Sequence, residues 1–486
     1  MALDDYLEEA RLAGRALADY GAGFFTPTVR LGVTGLSRSG KTIFITSLIH
    51  ALLHGTRLPV FEALNSGRIA RVRLSPQPDA AIPRFEYEKH LRDLVELRRW
   101  PESTRSISEL RIEIDYQSKR GRDRTLTLDI VDYPGEWLLD LLLLDKSYEE
   151  WSAEALALSR VGPRATIASQ WHTHLASLDP KGPADEQQAI TGAKLFTDYL
   201  VACRDERFAM NLLPPGRFLM PGDLAGSPAV TFAPLDLPRD EDAPSGSLWA
   251  MMQGRYEAYR SRVVRPFFRE HFARLDRQIV LADVLSAINA GPEALSDLEA
   301  TLTAVASSFN TGRRTILSSI FKPRADKILF AATKADHLHH LQHDRLENLL
   351  ARMVKRAAQR SELAGATTDA IALAAIRATR EAVVNRGSER LPAIIGTPLA
   401  GERIGDEVFD GTQETAIFPG DLPDVIEGKD REWKFKGLAA ASHDESDYRF
   451  LKFRPPLLDA SAGREPSLPH IRLDRALQFL LGDRLE

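Results

Sequence analysis

The chain has one cysteine, Cys203, among 486 residues. A lone cysteine forms no intrachain disulfide and no Cys-rich zinc site, so a disulfide scaffold is excluded and a reducing compartment fits. Beside Ala202 it reads as a small buried hydrophobe. Long hydrophobic runs are lacking too. The densest stretch, Trp137 to Leu144, is broken by Asp140 and ends at Asp145. No run reaches the roughly 18 apolar residues of a spanning helix, so no transmembrane segment is expected. The opening residues Met-Ala-Leu-Asp-Asp place acids where a secretory signal needs bases. A cytoplasmic protein is expected, with peripheral membrane contact left open. Charge of one sign is not in excess: Lys+Arg is 63, Asp+Glu is 68 and the net charge is −5. That balance does not suit a general nucleic-acid coat, and no nucleic-acid partner is expected.

What is present is ordinary globular material. Hydrophobic residues make up 44% and charged residues 27%, enough for a large core and too apolar for a disordered chain. The length suits about three domains. Residues 3–20 have the spacing of an amphipathic helix. Thr28–Thr34 is a short β-branched run and reads as a buried strand. Residues 41–54 return to helical spacing through Ile45, Leu48, Ile49 and Leu52. A helix is expected over Glu86–Arg99. Residues 107–116 and 124–132 alternate apolar and polar around a charged tip with Gly121, the pattern of an antiparallel hairpin. Residues 137–275 are mostly helical in period and hold a Pro/Gly-rich irregular loop at 213–246. Apolar strands are expected at 278–288, 326–332 and 369–376, with helix over 337–363. Beyond 390 come short strand-like pieces at 393–397, 414–418 and 448–453, then a helix near 473–481. Alternating strands and helices point to an α/β fold with a mostly parallel sheet.

Residues 35–42 read Gly-Leu-Ser-Arg-Ser-Gly-Lys-Thr, the P-loop pattern G-x-x-x-x-G-K-[ST]. Such a loop turns backbone N–H groups inward as a nest for phosphate oxygens, and the following helix adds its positive end. Arg38, Ser39, Gly40, Lys41, Thr42 and Ile43 are therefore candidate phosphate contacts. Lys41 would reach the outer phosphates. Thr42 would offer its hydroxyl to Mg²⁺, a hard cation that prefers oxygen. An acid then ends an apolar strand at Asp132, followed by Gly135 and Glu136. Asp132 would hold Mg²⁺ through water, and Gly135 would bring its N–H to the terminal phosphate. A third strand ends in Thr333-Lys334-Ala-Asp336. Guanine presents two donors to a carboxylate where adenine presents a lone pair, so Asp336 would select GTP/GDP. Lys334 would lie along the base. Asp336 also suits a helix N-cap before His337, which borders the same site.

The order P-loop, D-x-x-G, [NT]-K-x-D resembles the Ras-like GTPase class. A metal-binding threonine should precede the hairpin; Thr104 is the choice and Ser103 the competitor. The base-contacting loop should be Ser-Ala-Lys-like but reads Ala375-Ile376-Arg377. The N–H of Ile376 would serve there, and Arg377 would stack on the base. The phrases Gly35–Thr42, Trp100-Pro, Asp132-Tyr-Pro-Gly-Glu-Trp137, Arg277-Gln-Ile-Val-Leu and Thr333–Asp336 resemble the bacterial YcjX family over nearly the whole chain. That resemblance implies a stress-linked cytosolic P-loop NTPase with a Ras-like core and a helical insertion. The expected division is a core of 1–136 with 277–390, an insertion of 137–276, and a C-terminal α+β extension of 391–486 packed on the core.

In Ras-like enzymes the residue after D-x-x-G is a glutamine that orients water. Glu136 stands there and would repel the γ-phosphate, so slow hydrolysis is expected. Lys41, Thr104, Glu136 and Arg38 are the catalytic candidates. Arg38 would act as a cis arginine finger, against a plain salt-bridge role. The chain between Asp132 and Thr333 far exceeds a minimal G domain, so the insertion is expected to sense the nucleotide and present a surface to a protein partner. The histidines of 337–343 suit an exposed helix start better than a metal site, and Arg68, Arg71 and Arg73 a solvated strand face. An ATPase with mechanical work and a nucleotide-gated membrane scaffold are the competing classes.

Overall fold

The computed structural model describes residues 27–486 except 37, 56, 103, 105, 239–240, 309–324, 387–388, 423–424, 428–432, 436–449 and 459–465. The helix expected over 3–20, Ser103 and residues 448–449 lie outside the described residues.

Seven strands form the central sheet: β1 (Thr28–Gly35), β2 (Ile69–Ser75), β3 (Ser108–Gln117), β4 (Asp123–Asp132), β5 (Arg277–Ala282), β6 (Lys327–Ala332) and β7 (Thr367–Ala372). Their order is β2-β3-β4-β1-β5-β6-β7. β4, β1, β5, β6 and β7 pair in parallel, and β3 alone runs against its neighbours. The hairpin register, Ser108 opposite Asp132 and Gln117 opposite Asp123, delivers Asp132 to the strand end. This is the α/β fold of a P-loop G domain, with a mostly parallel sheet.

Both faces of the sheet are covered, so its inner strands read as nearly continuous apolar runs. Val29, Leu31 and Val33 face α1 (Lys41–His54) through Phe44, Ile45 and Leu48. The same core takes Leu473, Leu477, Leu480 and Leu481 from the last helix, Leu473–Leu481. Each buried Leu contributes about 1.5–3 kcal/mol, which fastens the end of the chain to the sheet. On the other face, Ile328, Phe330 and Ala332 meet the helix His343–Leu363. That core runs on without a break into the helical region between β4 and β5. There Trp151 stacks on Tyr256 at 5.2 Å and Trp171 meets Phe196 at 4.8 Å. Among the described residues of 137–276 there is no named strand. The 213–246 loop contains short turns of helix at Gly216–Leu219, Gly222–Leu224 and Pro228–Val230.

Several expected elements differ. The apolar run 278–288 is not one strand: β5 stops at Ala282 and a helix, Val284–Ala290, follows. Asp283 caps that helix by accepting from Ser286 N at 3.1 Å, a break hidden inside an apolar run. The helix expected over Glu86–Arg99 spans only Tyr87–Val95, and Arg98 then takes a left-handed φ of 46°. Residues 450–453 carry no named strand, only the bridge from Pro398 to Phe453. Beyond the sheet, β8 (Arg380–Arg386) and β9 (Glu389–Gly396) pair as a hairpin, joined by the short strand Thr415–Ile417. A division at 390/391 would cut this hairpin in two. Arg73 pairs with Glu113 and Asp115 of β3, and Arg68 bonds the carbonyl of Leu485, so both serve the sheet edge. No described helix is long and apolar enough to cross a membrane.

Candidate nucleotide-binding site

β1 delivers the loop and α1 leaves it. Arg38 and Gly40 take left-handed φ values of 61° and 78°. That alternation folds the loop back on itself before Phe44 N bonds Gly40 O at 2.9 Å and starts the helix. Lys41 is nearly buried. Its Nζ donates to Tyr133 O at 2.6 Å and lies 3.1 Å from Asp132 Oδ1. Thr104 Oγ1 donates to Asp132 Oδ2 at 2.8 Å and sits 3.3 Å from Thr42 Oγ1. Thr42, Thr104 and Asp132, from three separate segments, thus meet at one point. Two hydroxyls and a carboxylate form an all-oxygen donor set, and the buried Asp132 Oδ1 meets the Lys41 ammonium but makes no hydrogen bond among the described residues. That set fits a hard divalent cation such as Mg²⁺.

The base end is built by the loops after β6 and β7. Thr333 N bonds Ala282 O at 2.9 Å, and Lys334 takes a left-handed φ of 61°. The Lys334 ammonium bonds Asp283. Burial opposes the Asp283 charge, but Lys334 and Ser286 hold its carboxyl below the usual value. The alternative reading of Asp336 as an N-cap does not hold. The residue lies inside the short turn Ala335–His337, which begins after Lys334. Its Oδ2 accepts from Ala378 N at 2.8 Å, so the carboxylate ties the two base loops together. Oδ1 has no hydrogen bond among the described residues, and Asp336 lines the cavity. Burial lowers the pKa of His337, whose ring meets Phe453 edge-on at 5.3 Å. Ile376 is buried at the cavity wall. Arg377 is not placed for the expected stacking. Its guanidinium donates to Thr379 O at 3.0 Å and pairs with Glu381 at 3.3 Å, outside the cavity lining. Glu381 also meets His340 at 2.8 Å. The expected exposed helix start holds in part: a helix begins at His343 and His340 is exposed, but His339 and His343 are buried.

At the phosphate end, Gly135 packs on the P-loop. A Cβ there would lie 1.6 Å from Gly35 O, so only glycine allows this approach. Next to it, Glu136 meets Arg204 Nη1 at 3.3 Å, a residue from the helical region. Arg38 pairs with Glu206 at 2.9 Å, with its side chain 45% exposed, and both line the cavity. The geometry is that of the salt bridge, not the finger. Ser39 is buried with an unpartnered Oγ. Lys452, from beyond the small sheet, bonds both Glu206 oxygens. Trp100 Nε1 bonds Phe453 O at 2.6 Å. The result is one cavity of about 430 Å³ spanning Lys41, Thr42, Gly135, Asp336 and Ile376. That is the size of a small-molecule site. Ile43, Thr333, Lys334 and His337 also line it.

The YcjX-like family, DUF463, matches residues 29–485. The chain belongs to this family. It is 38% identical over 476 residues to a Ras-like GTPase YcjX of Escherichia coli (strain K12), covering 94% of this chain and 96% of the relative. It is 34% identical over 487 residues to a Ras-like GTPase YcjX of Shewanella oneidensis, covering 94% and 95%. Sequence reasoning missed Arg204, Glu206, Asp283, Ala378 and Lys452. Asp283 had a signal, an acid closing an apolar strand; the others reach the site only through folding.

Proposed function

We propose that this chain is a GTPase that binds GTP and GDP with Mg²⁺ and hydrolyses GTP slowly, as a nucleotide-dependent switch. The observation that carries the reading is Asp336: one carboxylate oxygen is held by Ala378 N, and the other is left for the ring N–H and amine of guanine. The names of the two relatives agree with it. Thr42, Thr104 and Asp132 would hold Mg²⁺, which when bound neutralises phosphate charge. The P-loop amides and Lys41 bind the phosphates, and Gly135 brings its N–H to the terminal one.

The switch reading rests on how residues 135–143 are held. Trp137 Nε1 donates to Met220 O at 2.8 Å, and the Arg217 guanidinium lies 3.5 Å from the Trp137 ring centre. Asp140 Oδ1 accepts from Gly216 N at 2.7 Å. Any movement of Gly135 with the terminal phosphate therefore pulls on residues 216–220. On this reading, residues 137–276 are the sensing insertion and carry the partner surface. We propose a cytoplasmic stress response as the setting of this work. Phosphate release from GTP and from ATP tests the activity: GTP turnover with little from ATP supports it, and the reverse order contradicts it.

A further inference from the structure

Glu136 is an odd neighbour for a terminal phosphate, because its carboxylate repels the charge it would have to approach. The structure gives that carboxylate a partner. Arg204 Nη1 lies 3.3 Å from Glu136 Oε1, with the two side chains 24% and 12% exposed. Arg204 lines the same cavity as Lys41, Thr42 and Gly135. We propose that Arg204 is a catalytic arginine supplied in cis by the helical insertion, and that Glu136 is its holder. The proposal rests on the GTPase reading above.

Three observations carry it. The first is the mount. Arg204 follows the helix Glu186–Cys203, and its N bonds Leu200 O and Val201 O at 3.2 Å. Cys203, just before it, is fully buried. Asp297 accepts from Leu212 N at 3.0 Å and pairs with Arg164, which fixes the strand of chain returning from Arg204. A guanidinium on so firm a base loses little freedom when it meets an anion. The second is the competitor. Arg38, inside the P-loop itself, is already engaged by Glu206 at 2.9 Å. The third is charge. The resting Glu136–Arg204 pair keeps the guanidinium beside the cavity, where a more highly charged γ-phosphate competes for it.

In hydrolysis, the water oxygen bonds to the γ-phosphorus as the bond to the β–γ bridging oxygen breaks. The bonding pair leaves on the β-phosphate of GDP, and a water proton leaves with or through the orthophosphate formed. Arg204 exchanges no proton. It leaves Glu136 for the γ-phosphate and offsets the charge growing on the bridging oxygen.

The test is single-turnover GTP hydrolysis beside GDP affinity and formation of a GDP–fluoroaluminate complex, a mimic of the transition state. Arg204→Ala should slow hydrolysis about 100-fold or more, abolish the fluoroaluminate complex and keep GDP affinity within about threefold. Arg204→Gln keeps a hydrogen-bond donor for Glu136 and should lose the same activities. It decides the matter should the alanine variant not fold. Hydrolysis within threefold of wild type in the folded variant, with fluoroaluminate still bound, would overturn the proposal. A wild-type protein that binds GDP no better than ADP, or leaves GTP intact, would overturn the GTPase reading itself, and Arg204 with it.

Discussion

Gly216, in the helical region between β4 and β5, packs directly on the carbonyl oxygen of Glu136: a Cβ at 216 would lie 1.7 Å from it. The neighbour is backbone and cannot swing aside. The segment after the D-x-x-G motif is thus pressed between the P-loop, through Gly135, and the helical region, through Gly216. Gly216→Ala should cost about 1–3 kcal/mol by overpacking. It should also alter hydrolysis, because the switch segment must shift. Denaturant melts and phosphate release check both. An unchanged melt would mean that the contact is slack.

Glu136 acts as a brake in this account. Glu136→Gln should hydrolyse GTP at least about tenfold faster, since the variant frees Arg204 and removes a charge that repels the phosphate. In an Arg204→Ala background the same change should gain much less. A gain of equal size in both backgrounds would show that Glu136 works without Arg204; single-turnover rates in the four proteins decide.

The coupling also predicts a pH signature. Burial, opposed by the Arg217 guanidinium, pushes the Asp140 carboxyl up to about 7 from an ordinary 3.8. A raised carboxyl pKa favours folding in its protonated form. The stability it contributes is full below the ordinary value and is lost as pH rises through about 7. Asp140→Asn keeps an oxygen for Gly216 N and removes the titration. Relative to that variant, the wild type should lose stability as pH rises from about 4 to about 7, by up to roughly 1.4 kcal/mol per unit. Urea melts across that range read the difference, and a constant offset would contradict it.

Much of this was legible in the sequence where the signal is local. The P-loop spacing, the alternation of 107–116 against 124–132, and the helix at 473–481 each depend on neighbours a few residues away. Thr104 was reached by position before the hairpin, and the fold sets it beside Thr42 and Asp132. The end of β5 was hidden because Asp283 caps a helix within one apolar run. Arg377 was misplaced because its direction is fixed by Glu381, on a strand whose pairing the spacing does not reveal. Arg204 carried no signal: it lies in a region with no motif, and only the packing of the insertion brings it to Glu136.

The central claim is that Asp336 reads guanine. Its most direct measurement is calorimetric titration of GDP, ADP and xanthosine diphosphate, each with Mg²⁺, into wild type and Asp336→Asn. Xanthine replaces the amine of guanine with a carbonyl, which an asparagine amide can meet, while the asparagine oxygen can still accept from Ala378 N. The account predicts GDP at least about a hundredfold tighter than ADP in the wild type. In Asp336→Asn, GDP should lose that margin and xanthosine diphosphate should gain it. Equal affinities for GDP and ADP in the wild type would contradict it and leave Asp336 as a tie between two loops.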